Sequence, residues 1–173
     1  QANKNCKYPK IKNVEFVHGS ANSIPSKDKS LDCVIFSKSL HHVPLNDMDF
    51  SLFESIRVLK NSGFLFILEP DIYGSFYELI KPFHDESLVR AEAINSLDRV
   101  AGKHFNKLEK YHFLSKYIFK NFNSFVQKMS KSTFNNISKE SIDNPHVNKI
   151  FNDSFDGDQY CFENRMLVRI YKN

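Results

Sequence analysis

Three short clusters mark where this chain could do chemistry: Gly19-Ser20-Ala21, Ser37-Lys38-Ser39-Leu40-His41-His42 and Glu69-Pro70-Asp71. Each follows a β-prone run: Val14-Glu15-Phe16-Val17-His18, Leu31-Asp32-Cys33-Val34-Ile35-Phe36 and Phe64-Leu65-Phe66-Ile67-Leu68. Hydroxyls, an ammonium, imidazoles and carboxylates at three successive strand exits are what a crevice for a small polar ligand needs. The same residues also suit ordinary loops, which are polar in any protein, and composition leaves both readings open. His41 and His42 are adjacent, so their side chains diverge, and no acidic or Cys residue stands at metal-ligand spacing from them. The pattern predicts one packed His, one at a cleft mouth and no metal. His42 is the one placed to act as a base on a substrate hydroxyl.

The elements that must hold these clusters are legible upstream of each. The run at 31–36 is nearly continuous in apolar residues, which is how a parallel strand buried on both faces reads. From Asp47 to Lys60 the spacing is helical, with Met48, Leu52, Phe53, Ile56 and Leu59 on one side. Gly63 then stands where a left-handed helix terminator is expected. A strand, a helix and a second strand make a βαβ unit, and such units collect ligand sites at the carboxyl ends of their strands. Asp32 opens its strand at the opposite end and reads as structural.

Beyond Asp71 the pattern is weaker. Ser75 to Lys81 predicts a short helix, and Asp85 is a good N-cap for a helix through Leu88, Val89, Ile94, Leu97 and Val100 to Gly102. Residues 111–129 fit both periods; a short strand near 116–120 and a helix from about Asn123 are favoured. A last helix at 146–155 and an Asp156-Gly157-Asp158 turn lead to a final strand at 159–171. There Met166, Val168 and Ile170 alternate with Arg165, Arg169 and Lys172. Residues 1–12 read as a helix end and a loop.

With 173 residues, 41% apolar and 25% charged, the chain is globular. Its net charge of +4 is scattered along the sequence rather than gathered in a stripe, which argues against nucleic acid. The aromatic tract at 105–125, with interleaved Lys, reads as a core-facing stripe. Cys6, Cys33 and Cys161 form no C-x-x-C pair, so neither zinc nor a disulfide framework is expected, and a cytoplasmic setting is. No apolar run approaches the roughly 20 residues of a membrane span, and no signal-peptide pattern is visible.

Taken in order, the runs at 14–21, Ile24-Pro25, Ser30 to Ile35, Ser39 to Val43 and Arg57 to Leu65 resemble the class I S-adenosylmethionine-dependent methyltransferases. Within them the likeness is to the ubiquinone/menaquinone-type, small-molecule group. Tyr160-Cys161-Phe162 and Leu167-Val168-Arg169-Ile170 resemble that fold's closing antiparallel strand. The resemblance implies an α/β, Rossmann-like sheet with S-adenosyl-L-methionine as cofactor and a small-molecule acceptor. It places Ser20, Ala21, Ser37, Lys38 and Leu40 beside the cofactor, and His42, Glu69 and Asp71 on the substrate side. No catalytic residue is assigned, because methyl transfer from a sulfonium rests mainly on alignment.

Two departures follow. Ser20 stands where the family usually has an acidic residue, and the family's Gly-rich loop has no counterpart here. The first two strands of the fold are therefore expected to be missing, with residues 1–173 forming one domain, the C-terminal part of a methyltransferase. Residues 73–104 are expected to be a substrate cover. The chain alone is expected to bind the cofactor poorly and to self-associate through an exposed sheet edge. The alternative is a non-catalytic binding or scaffolding module on a degenerate methyltransferase fold.

Overall fold

The computed structural model describes residues 13–131 and 137–173. Four strands form one sheet: β1 Leu31–Ser37, β2 Leu59–Pro70, β3 Lys107–Phe119 and β4 Tyr160–Lys172. Their order is β1-β2-β4-β3. β1 and β2 run parallel, joined through helix α1 Met48–Val58, while β4 lies antiparallel to both β2 and β3. The βαβ unit and the antiparallel closing strand are as the sequence predicts. Gln1-Ala2-Asn3-Lys4-Asn5 and the rest of residues 1–12 lie outside the described residues.

The helices divide between the two faces of the sheet. Phe36 of β1, Leu65 and Ile67 of β2 and Tyr171 of β4 share a core with Met48 and Leu52 of α1. The same core takes in α3 Ser87–Ser96 and the turns after it, through Ala93, Leu97, Val100 and Ala101. On the other face, Phe162 of β4 and Phe119 of β3 pack in a second core with Ile142 of the short helix at 139–142 and with three longer helices. These are α2 Ser75–Ile80, α5 Phe122–Ser130 and α7 Pro145–Asn152. Phe151 of α7 is fully buried there, with the rings of Phe122, Phe125, Tyr160 and Phe162 centred 4.4 to 5.6 Å from its own. Edge-to-face and offset contacts of this kind account for many of the 17 Phe.

Several expectations are corrected. Residues 14–18 are not a strand: a strand needs a neighbour for its N–H and C=O groups, and none of the described residues pairs with this run. Val14, Phe16 and Val17 are exposed instead. β1 is not buried on both faces, since Phe36 faces the first core while Ile35, on the open side, is 63% exposed. Gly63 ends no helix. α1 stops at Val58 because Leu59 is already extended, and Gly63 lies inside β2, where a Cβ would come within 3.1 Å of the Leu31 carbonyl. Phe53 is exposed rather than on the buried side.

β3 is longer than the short strand expected, because thirteen consecutive residues pair with β4. That pairing rules out the helical reading of 111–119. It also corrects the core-facing stripe: Phe119 and Phe125 are buried, but Tyr111, Phe113, Leu114 and Ile118 are exposed. α3 is prolonged by a π-helical turn, Leu97–Ala101, and a last turn α4 Gly102–His104. A short helix α6 Lys139–Ile142 precedes α7. Asp32 pairs with Lys60 at 2.8 Å, consistent with its structural reading.

Candidate functional site

The site begins where β1 ends. Lys38 takes a left-handed conformation at φ 54° and donates its N–H to the Leu68 carbonyl at 2.7 Å. The chain then closes a 3-10 turn, Leu40–His42, in which the Val43 N–H reaches the Leu40 carbonyl at 3.0 Å. A turn this short leaves its leading N–H groups without intrahelical partners. Glu69, at the end of β2, supplies them: its Oε1 accepts the Ser39 N–H at 3.0 Å and the Leu40 N–H at 2.8 Å. Its Oε2 meets His41 Nδ1. Charge-assisted bonds of this kind are about twice as strong as neutral ones.

The second part comes from the connection between α2 and α3. Asp85 accepts the Tyr77 hydroxyl at 2.8 Å and the Ser87 N–H at 2.9 Å, so it satisfies the first N–H of α3 from one residue outside the N-cap, a position that Glu86 takes instead of the expected Asp85. Those bonds, the backbone one first, hold its carboxyl down at about 2. Glu86 Oε1 lies 2.9 Å from His84 Nε2 and 4.0 Å from His41 Nε2. Glu86 Oε2 accepts from Arg90 Nη2 at 2.6 Å and from Nε at 3.1 Å. Burial pushes the Glu86 carboxyl up, but the His84 and Arg90 bonds outweigh it and hold it at about 2. Arg90 Nη1 also donates to the Asp71 carbonyl at 2.7 Å. Hydrogen bonds thus run from Glu69 to His41 and from Glu86 through Arg90 to the backbone of Asp71, with a 4.0 Å gap between His41 Nε2 and Glu86 Oε1.

Above this chain opens a cleft of about 280 Å³ at the carboxyl ends of β1 and β2. Lys38 and His42 line one side, Phe76 and Ile80 of α2 another, and Asn164 and Met166 of β4 a third. Asn164 is 4% exposed, and its Oδ1 has no hydrogen-bond partner among the described residues. Such an acceptor costs about 1–3 kcal/mol when left unpaired. A donor on a bound molecule would satisfy it. Burial pushes the pKa of His42 below its ordinary value and the neighbouring His41 adds to this, against weaker pulls upward from Glu86 and Glu69.

The residues singled out in the sequence separate into three groups. Lys38 and His42 reach the cleft, with His41 packed and His42 exposed as expected, but their side chains do not diverge: the 3-10 turn brings the two ring centroids to 4.1 Å. Glu69 and Asp71 lie under it, 2% and 8% exposed. Asp71 spends its carboxylate on the Ile72 N–H at 2.7 Å and on Arg165 Nε at 2.6 Å. Leu40 is fully buried in the first core and offers only its backbone N–H to Glu69. Ser37 is exposed at the strand's tip. Ser20 lies apart, on a depression of about 370 Å³ shared with His18, Gly19, Ser23 and Pro25, and Ala21 packs on the first core.

Glu86, Arg90 and Asn164 were not found from the sequence. Asn164 carried a signal, since it holds a polar side chain in the strand phase of Phe162 and Met166. Glu86 was masked by the better capping residue beside it, and Arg90, one charged residue within the helical run at 88–100, carried no signal of its own.

Residues 1–67 match the methyltransferase domain family. The chain is 32% identical over 110 residues to the ubiquinone/menaquinone biosynthesis C-methyltransferase UbiE of Haemophilus ducreyi, covering 62% of this chain and 38% of that protein. It is 31% identical over 108 residues to UbiE of Escherichia coli, covering 62% and 39%. Over these residues the chain is similar to class I methyltransferases. It spans less than two-fifths of the length of these curated relatives. Among solved structures, a Bacillus halodurans protein classed as a methyltransferase superposes with a TM-score of 0.59 at 19% identity, covering 93% of this chain and 72% of that one. The YcgJ protein of Bacillus subtilis gives 0.53 at 18%, covering 94% and 73%. At these identities the likeness is one of fold, and that fold is the Rossmann-like class I sheet. No helix among the described residues is long and apolar enough to cross a membrane.

Proposed function

We propose that this chain serves S-adenosyl-L-methionine-dependent methyl transfer to a small-molecule acceptor held in the cleft beside His42. The observation that carries the reading is the cleft's position, at the carboxyl ends of two parallel strands and with the unpaired Asn164 Oδ1 in its wall. The names of the curated relatives favour a carbon atom of a quinone-type precursor as the one methylated.

S-adenosylmethionine, when bound, would supply the methyl group from a sulfonium that departs as a thioether, and a carbon acceptor would release the proton that the methyl replaces. Alignment supplies most of the acceleration. This chain's share is to orient: Lys38 and His42 at one wall, Asn164 Oδ1 toward a donor group of the acceptor. Glu69 acts through His41 and the turn that carries His42, as a positioning residue. Ser20, Ala21, Ser37 and Lys38 are assigned to the cofactor side, and Leu40, whose backbone groups are held by Glu69 and Val43, anchors that turn in the core. Residues 73–104 are assigned to the acceptor's cover, in keeping with the places of Phe76, Glu86 and Arg90 around the cleft.

A second reading, a non-catalytic binding or scaffolding module on this fold, is favoured by Ser20 in place of an acidic residue. Calorimetric titration of S-adenosylmethionine separates the two, applied to this chain and to the product of its whole open reading frame. Binding by the longer product with weak binding by this chain is the expected outcome. Binding by neither favours the module.

A further inference from the structure

Two carboxylates approach the imidazole of His41 from opposite sides. Glu69 Oε2 takes the Nδ1 side, and Glu86 Oε1 stands 4.0 Å from Nε2. With the Nδ1 proton directed at Glu69, Nε2 presents a lone pair toward a carboxylate oxygen. Two acceptors facing each other repel unless a cation or proton lies between them. His42 brings a third donor atom to the same space: its ring centroid is 4.1 Å from that of His41. The ligating atoms of His41, His42 and Glu86 all lie within 4.8 Å of one another.

We propose that His41 Nε2, a ring nitrogen of His42 and Glu86 Oε1 form a binding site for a first-row divalent transition metal, with its open position facing the cleft. Two imidazoles and one carboxylate are a donor set suited to Zn²⁺ and its neighbours, and three protein ligands leave room for a fourth from solvent or a bound molecule. Supporting groups are already in place. Glu69 fixes the tautomer and orientation of His41, as a carboxylate behind a metal-bound imidazole does. Arg90 occupies Glu86 Oε2 and His84 steadies Oε1, so the carboxylate is presented at a fixed angle. Tetrahedral zinc needs its ligand atoms about 3.4 Å apart, which follows from bonds of about 2.05 Å. His41 is buried and Glu86 half-buried, so a small shift of the Glu86 carboxylate closes its 4.0 Å distance to His41 Nε2, and His42, exposed at the mouth, makes the remaining adjustment. The site is argued from these side chains and not from the methyl-transfer reading.

The test is titration of the metal-stripped chain with Zn²⁺ by calorimetry and with Co²⁺ by visible absorption. One saturable site is expected, with the ligand-field bands of a four- or five-coordinate Co²⁺. His42→Gln should weaken binding by at least about tenfold while the far-ultraviolet circular dichroism stays unchanged, because this side chain is exposed. Glu86→Gln should do the same where it folds. His112→Gln, on exposed β3, should bind as the parent does. No saturable binding by the parent overturns the proposal. Binding that His42→Gln does not weaken also overturns it, by placing the metal elsewhere.

Discussion

Glu69 Oε1 accepts the backbone N–H of Leu40 at 2.8 Å, from a strand end 29 residues away. A single buried carboxylate thereby closes the turn after β1 and, through Oε2, holds His41. Glu69→Gln removes the charge and leaves one of these donors poorly matched. The variant should lose roughly 2–3 kcal/mol of stability, read as a lowered urea midpoint with an unchanged slope.

Gly74 has φ 124°, and a Cβ there would meet the Glu163 carbonyl at 2.4 Å. The neighbouring hydroxyl of Ser75 accepts the Glu163 N–H at 2.9 Å, which ties α2 to β4 at this point. Gly74→Ala should cost about 1–3 kcal/mol from backbone strain, with more from the clash. Thermal unfolding measures it, and an unchanged midpoint would contradict the close approach.

Phe151 is the centre of the second core, fully buried among aromatic rings. Phe151→Ala should destabilise by about 3–5 kcal/mol. Phe151→Leu, which keeps more of the volume, should cost less. The two together separate packing from a general intolerance of substitution.

Arg99 clamps α1 to α3, bonding Asp49 at 2.7 Å through two nitrogens and Glu92 at 2.8 Å. The Arg99 bonds hold the Asp49 carboxyl below its ordinary value, against a smaller upward push from burial, and they lower Glu92 likewise. A carboxylate with a depressed folded pKa contributes stability that is present above its unfolded value and lost as pH falls through the folded one. Stability should therefore decline as pH drops below about 4.5, the ordinary range for these groups. Arg99→Leu should flatten that decline. Denaturation midpoints between pH 6 and pH 3 for both proteins provide the comparison.

β1 lies at the edge of the sheet, and Ile35 is 63% exposed on it. Open edges with apolar side chains promote association, and a Lys there opposes it. Sedimentation velocity at rising concentration should show self-association of this chain, reduced in Ile35→Lys. A strictly monomeric parent would remove the expectation.

The sequence by itself determined the βαβ unit and the closing strand. Their signals are local: an apolar run at 31–36, helical spacing at 47–58 and alternation at 160–172. It also marked His41 as the packed imidazole and His42 as the exposed one, but not that the turn would bring their rings together. Tertiary structure decided the rest. Whether residues 14–18 form a strand depends on a partner, which no local pattern specifies. The exposure of Ile35 follows from which face of β1 is covered, Phe36 facing the first core and Ile35 the open side, and the length of β3 follows from pairing with β4, 41 to 65 residues away in sequence by the registers Phe119 to Tyr160 and Lys107 to Lys172.

The polar network shows the same division. Glu69 and Asp71 were visible as polar residues at a strand end, but their inward bonds to Leu40, His41 and Arg165 required the 3-10 turn and β4 to be in place. Glu86 and Arg90 come from a helix start that the sequence marked only as a cap. Bringing them beside His41 is a matter of packing α3 against the turn after β1, a contact spanning about 45 residues. Side-chain chemistry is written in the sequence; which groups face one another is set by the burial of apolar surface that folds the chain.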